Sequence, residues 1–236
     1  MNSHLTHILT IDDLTITVER KQVKNINLSV KRNGQIAVSM PYRCAMATVE
    51  NFVKSRLSWI RQTQEKINSI VSYQLKYENN ETHFLWGKPY CLLIEISNKI
   101  GVEIKENQII IRLPEKNNNA KNRQYILDKF YAGSVKNQLS LILEKWITQM
   151  KTPQPKIYIR KMKTRWGSCT PNKKSIRINS ELAKYPPECL QYVLLHELAH
   201  FFVKGRGDDF IAIIDKNMPN WQKYKEMLDN HNFQAA

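Results

Sequence analysis

Residues 192–202 read YVLLHELAHFF, and the rest of the chain is organised around this stretch. Its centre matches the pattern H-E-x-x-H, with His196, Glu197 and His200. On a helix, side chains four residues apart project from one face, so both imidazoles can coordinate a single metal ion. Glu197 lies about 100° further round the helix, where its carboxylate reaches a water at the metal without ligating the metal. The pattern therefore predicts a metal site with Glu197 as general base.

The residues around the two histidines are strongly apolar. They include Leu194, Leu195, Leu198, Phe201 and Phe202. A helix with this composition is expected to be buried, and imidazoles on a buried helix need a partner. The five-residue pattern also occurs by chance on ordinary surface helices. The apolar surroundings favour a metal-site scaffold over such a chance match.

Length, hydropathy and cysteine content set broad limits. The chain has 236 residues, enough for a sizeable core and one or two domains. It contains no apolar run of 18 residues, and its N-terminus lacks the basic and apolar regions of a signal peptide, so we expect a cytoplasmic protein without a membrane anchor. The 4 cysteines form no C-x-x-C pair, which argues against a zinc ribbon or a redox motif.

The net charge is high. There are 36 Lys and Arg against 21 Asp and Glu, which leaves +15. This balance favours a polyanionic partner such as nucleic acid, a nucleotide or an acidic protein. A proteome rich in Lys and Asn would raise the charge in the same way without any partner. Composition leaves both explanations open.

Hydrophobic periodicity predicts an α+β fold. Alternating strands at 26–30 and 36–40 flank Asn33-Gly34, which predicts an antiparallel hairpin. Helical spacing of apolar residues predicts a long helix over about 47–73. Further short strands between 84 and 113 read as an antiparallel meander.

The C-terminal half reads differently. It has a second long helix over about 120–150, two strands at 156–161 and 174–180, and then the H-E-x-x-H helix. These patterns predict two regions. Residues 1–118 are expected to be β-rich with one long helix, and residues 119–236 to form the catalytic core. One compact unit that contains both regions is the alternative.

A second group of chemically distinctive residues lies upstream of the motif helix. Residues 160–169 read RKMKTRWGSC, where Gly167 permits a sharp turn or close backbone approach. A strand edge beside a metal helix could accept an extended substrate as an added strand, which makes Arg165, Trp166 and Ser168 candidate substrate-binding residues. The alternative is a structural corner in which Trp166 fills the core and Arg165 caps a helix or pairs with a carboxylate.

These motifs occur in an order that resembles a known family. TRWGSC at 164–169, HELAH at 196–200, Phe210 and MPNW at 218–221 are similar to the YgjP-like metallohydrolases, zincin-type proteins related to the SprT-like and WLM groups. Residues 23–60 also look like that family's opening hairpin and helix. The resemblance covers almost the whole chain.

The resemblance implies a zincin-like core in which His196 and His200 bind Zn²⁺ and Glu197 polarises water. It implies a metal-dependent hydrolase or metallopeptidase. Some members carry a nucleotide pyrophosphatase label, so the implied substrate is a peptide or a nucleotide.

One position departs from the family pattern. The family has a third zinc-binding histidine ten residues after the first, and this chain has Arg206 there. Arginine stays protonated and offers no lone pair, whereas a catalytic zinc normally has three protein ligands. Asp208 or Asp209 could supply an oxygen ligand, the chain could bind metal poorly, or a remote histidine, His83 or His231, could complete the site.

Three functions follow from these residues. The first, which we favour, is a zinc-dependent peptidase with Glu197 activating water. The second is a metal-dependent hydrolase of nucleotide phosphoanhydrides, although the chain has neither a P-loop nor a carboxylate-rich Mg²⁺ motif. The cations that suit phosphate are Arg160, Lys161, Lys163, Arg165 and Arg206. The third is a catalytically impaired module that binds nucleic acid through its basic surface.

Overall fold

The computed structural model describes residues 6–31, 34–71 and 75–230, the side chains of 66–71 excepted. The chain forms two compact units, Met1–Gln74 and Leu75–Ala236. This division differs from the one expected from the sequence, which lay at residue 118. The reason is that the strands between residues 82 and 113 share their hydrophobic core with the C-terminal helices.

The first unit is a four-stranded sheet with two helices. Its strands follow the order β1-β2-β4-β3, and the hairpin expected at β3 and β4 is confirmed as an antiparallel pair, although Arg32 and Asn33 of its turn lie outside the described residues. The predicted long helix is split in two, and the Ser55 hydroxyl at the break donates to the carbonyl of Phe52. The elements are β1 (Thr6–Ile11), β2 (Leu14–Lys21), β3 (Asn27–Val30), β4 (Ile36–Pro41), α1 (Met46–Lys54) and α2 (Leu57–Val71).

The second unit begins with another four-stranded sheet. It consists of β5 (Thr82–Leu85), β6 (Lys88–Ile96), β7 (Gly101–Lys105) and β8 (Gln108–Leu113), in the order β5-β6-β8-β7. The expected meander is wrong in one respect, because β6 and β8 pair in parallel. Buried side chains of β8 lie in one cluster with those of the long helix α3 (Ala120–Met150).

The remaining elements of the second unit surround the H-E-x-x-H stretch. A three-stranded sheet consists of β9 (Lys156–Arg160), β10 (Gly167–Thr170) and β11 (Ser175–Asn179), with β11 in the middle and β10 at an edge. Three helices follow: α4 (Pro187–Ala199), α5 (Asp208–Asn217) and α6 (Trp221–Asp229). Within the described ranges, no helix has the length and apolar character needed to cross a membrane.

Helix α4 lies at the centre of this second core. Pro187 opens the helix, where a missing N–H costs nothing. Leu190, Leu194, Leu195 and Leu198 are inaccessible to solvent, which confirms the expected burial of the helix itself. Phe202, which lies beyond the end of the helix, is 50% exposed, against expectation. Burial on this scale fixes the position and rotation of α4, and therefore the direction of its polar side chains.

Candidate active site

The two histidines of the motif meet at the C-terminal end of α4. His196 lies in the last turn and His200 is the residue that caps the helix. Their ring centroids are 5.2 Å apart, and the rings are nearly perpendicular at 78°. Phe210 of α5 packs against both rings, at 4.8 Å from His196 and 5.0 Å from His200. The structure thus brings the two imidazoles together, as the spacing predicts.

Burial lowers the pKa of both imidazoles below the ordinary value of a histidine. Burial lowers the pKa of His196 to about 4, and the charges of Arg206 and His200 act in the same direction. Burial also lowers the pKa of His200, although a hydrogen bond to the backbone of Val203 opposes the shift. A neutral imidazole has a lone pair to donate to a metal.

Glu197 is the buried carboxylate of the site. Only 6% of its surface is exposed. Burial raises the pKa of Glu197 to about 7, while the charge of Arg206, a hydrogen bond from the backbone N–H of Cys169 and the charge of Arg165 each oppose the rise. A carboxyl group with a pKa near neutrality is well matched to proton transfer.

Gly167 allows β10 to pass directly over Glu197. A Cβ atom built on Gly167 would lie 2.6 Å from Oε1 and 2.8 Å from Cγ of Glu197, and 2.9 Å from Cγ1 of Val193. No side chain fits at these distances. The glycine predicted to permit close backbone approach therefore does so against the catalytic candidate itself.

We expect Gly167→Ala to destabilise the protein and to displace the Glu197 carboxylate. The added methyl group overpacks a buried contact, which costs about 1–3 kcal/mol. Urea unfolding measures the loss. Gly133→Ala is the matched control, because Gly133 lies within α3 and a Cβ there meets no described atom within 4 Å. Alanine at that helical position should stabilise by up to about 1 kcal/mol. Equal stability of the two variants would contradict the close contact.

Asn179 holds the loop that carries Arg165. Its Nδ2 donates to the carbonyls of Met162 at 3.0 Å and Arg165 at 2.9 Å, and its Oδ1 accepts from the backbone N–H of Met162 at 3.1 Å. The side chain of Asn179 is 3% exposed. Sequence reasoning missed this residue. The sequence feature that could have identified Asn179 is an asparagine at the end of a strand, directly before the 3-10 segment Ser180–Lys184 that it caps.

The predicted substrate residues line the same cleft as the motif. This cleft has a volume of about 790 Å³, and Arg165, Trp166, Ser168 and Arg206 all contribute to its walls. Trp166 also packs edge-on against Tyr185, with ring centroids 5.0 Å apart. Trp166 is thus partly buried against the core and also borders the cleft, and its role as a substrate-binding residue stays a prediction.

Helices α4 and α6 also contribute to the lining of the cleft. Trp221 stacks on Tyr192 with ring centroids 5.8 Å apart and an angle of 13°. The sequence had singled out Trp221 only through the family resemblance. In the structure, Trp221 and Tyr192 both line the cleft.

The expected third metal ligand is not brought to the histidines. In the part of the chain that the structure describes, no three His, Cys, Asp or Glu residues lie close enough together to hold a metal. Asp209 is exposed in the first turn of α5, where a carboxylate favours the helix dipole, and it does not line the cleft. His83 lies elsewhere, buried beside Glu81 at 3.3 Å. His231 lies outside the described residues.

Arg206 faces the site instead. It lines the cleft, and its charge lowers the pKa of His196, Glu197 and His200. Two imidazoles beside a fixed positive charge do not fit a catalytic zinc, which normally takes three protein ligands. The metal that the resemblance implies therefore lacks a complete donor set among the described residues.

Comparison with known proteins identifies one family and several distant structural similarities. A family model described as YgjP-like, metallopeptidase domain, matches residues 24–231. The metallopeptidase zymogen abylysin of Pyrococcus abyssi is 17% identical, with 42% of this chain and 96% of that chain covered and a TM-score of 0.36. The zymogen jannalysin of Methanocaldococcus jannaschii is 21% identical, with 42% and 90% covered and a TM-score of 0.35. No curated protein matches the chain.

Proposed function

This chain belongs to the YgjP-like metallopeptidase domain family, and from that premise we propose that its cleft is a peptidase-type site for an extended peptide. The observation that carries the proposal is the edge strand β10, which passes directly over Glu197. A cleft bordered by a strand edge and a proton-transferring carboxylate suits the hydrolysis of an extended chain.

The edge of β10 is oriented to receive a peptide. The backbone N–H of Asn179 donates to the carbonyl of Trp166 at 2.9 Å, which sets the alternation of the antiparallel pair. The peptide groups of Gly167 consequently point away from β11. An added strand would make its hydrogen bonds there, and its own backbone would pass beside Glu197.

We assign each residue of the site a role in this reaction. Glu197 accepts a proton from the attacking water and returns it to the leaving amine. His196 and His200 supply two neutral imidazole donors, a ligand type that zinc accepts. With Arg206 in place of a third donor, we propose that the natural chain binds metal weakly and hydrolyses peptides slowly.

A second candidate function has one observation in its favour. Arg165, Lys204 and Arg206 line the cleft, and none of them forms an ion pair within 4 Å among the described residues. Unpaired cations suit the phosphates of a nucleotide. Binding of nucleic acid, which the net charge of +15 favours, would show a steep dependence on salt.

Digestion of an unstructured polypeptide tests the proposal. We expect the Arg206→His protein with one equivalent of zinc to cleave the polypeptide, and the natural chain to cleave it far more slowly, as read by mass spectrometry. Release of phosphate from nucleoside triphosphates is measured in parallel. Phosphate release without peptide cleavage would favour the nucleotide function and exclude the peptidase.

A further inference from the structure

We propose that the cleft recognises the free C-terminal carboxylate of a peptide, held between Arg165 and Arg206, so that the site acts on the last residues of a chain. The inference rests on the proposed binding of a peptide along β10. It specifies which part of the peptide is recognised and in which direction the peptide lies along β10.

Two arginines from different elements line the cleft. Arg165 comes from the loop before β10, which the Asn179 side chain holds at the Arg165 carbonyl. Arg206 comes from the loop between α4 and α5, and both residues line the cleft and act on Glu197 through their charge. Arginine presents a planar fork of donors that matches a carboxylate. Neither guanidinium forms an ion pair within 4 Å among the described residues, so the two forks suit an anionic ligand.

Lys225 shows the contrast within the same cleft. Its ammonium group is 2.6 Å from Asp229, so its charge already has a partner. Arg165 and Arg206 line the same cleft and form no such ion pair among the described residues, so their charges remain available to an anion.

The direction of β10 identifies the anion as a chain terminus. Arg165 precedes Gly167, the first residue of β10, by two positions. A peptide that runs antiparallel to β10 has its C-terminus at this end, and a parallel peptide would place its N-terminal ammonium group there. Like charges juxtaposed across an interface are strongly disfavoured. The antiparallel direction is the one that pairs opposite charges.

Paired peptides test this inference. We would measure fluorescence anisotropy for one dye-labelled unstructured peptide prepared with a free C-terminal carboxylate and with a C-terminal amide. For the natural chain, we expect the amide to bind at least about tenfold more weakly, because it loses charge-assisted hydrogen bonds. Arg165→Gln and Arg206→Gln should each reduce that difference, and Lys225→Gln should leave it unchanged.

The outcomes separate this inference from the proposed function. Equal binding of both peptides would overturn carboxylate recognition while leaving the peptidase site in place. If neither peptide binds, the proposed function fails as well. Displacement by inorganic triphosphate without any peptide binding would show a phosphate site and overturn the inference. Thermal unfolding of each variant confirms that it is folded, which the exposed positions of Arg165 and Arg206 favour.

Discussion

Arg206→His is expected to raise the affinity for zinc by roughly 100-fold or more, since second-shell partners of a metal site are already worth 10–100-fold. The substitution has two effects in the same direction. It removes a guanidinium whose charge acts on His196, Glu197 and His200, and it adds a third imidazole beside the two that α4 already presents. Three nitrogen donors and one open position form a familiar catalytic zinc site.

The loop around residue 206 can adapt to the new ligand. Gly205 has φ of +90°, and a Cβ built on Gly205 or Gly207 meets no described atom within 4 Å. Glycines on both sides of the position allow the backbone to shift at low cost. A histidine there can therefore approach the metal without disturbing α4, which is fixed by burial.

Competition with a zinc indicator, together with metal content after purification, measures the effect. Arg206→Ala is the control that removes the charge without adding a donor. We expect its affinity for zinc to lie between those of the natural chain and Arg206→His. Equal affinities of the alanine and histidine variants would show that charge alone limits binding. Stoichiometric zinc in the natural chain would show that another residue completes the site.

The features that followed from the sequence are local ones. The spacing of His196 and His200 placed both rings on one side of α4, and the apolar residues around them predicted the burial of that helix. Both depend on a helical repeat within a few residues, so the pattern carries them directly. For Gly167, the sequence predicted a sharp turn or a close approach of the backbone. It did not predict that Glu197 is the group approached.

The features that could not be predicted from the sequence depend on contacts between segments that lie far apart in the chain. The boundary between the units lies at residue 74 because strands β5–β8 share a core with helices that come much later in the chain. The parallel pairing of β6 and β8 likewise joins strands that are not consecutive. Asn179 is a further case, since its role becomes visible only when β11 and the loop with Arg165 are adjacent.

The third ligand illustrates the same limit at the site. Asp209 follows Arg206 by only three residues, which made it a plausible donor. In the structure, α5 begins at Asp208 and turns Phe210 toward the two histidines. Adjacent helical residues point about 100° apart, so a helix that presents Phe210 to the histidines directs Asp209 elsewhere. The number of residues between Arg206 and Asp209 does not determine the direction in which α5 points the Asp209 side chain.

In the Arg206→His background, Glu197→Gln is expected to lower the rate of peptide cleavage by about 10²–10⁴-fold, the usual contribution of general acid–base catalysis. Glutamine has the size of glutamate, so it fits beneath Gly167, and its amide oxygen can still accept the hydrogen bond from the Cys169 N–H. It cannot accept a proton from water. Zinc affinity and the unfolding midpoint should therefore change little, while turnover is lost.

Glu188→Gln in the same background is the matched control. Glu188 lies on α4 as Glu197 does, but in the first turn and away from the cleft residues. Rates of cleavage of one peptide by the three proteins, read by mass spectrometry at saturating zinc, give the comparison. Loss of activity with zinc still bound assigns proton transfer to Glu197. Retained activity in Glu197→Gln would require another proton acceptor, and loss of zinc together with activity would mean that Glu197 holds the metal site instead of serving as its base.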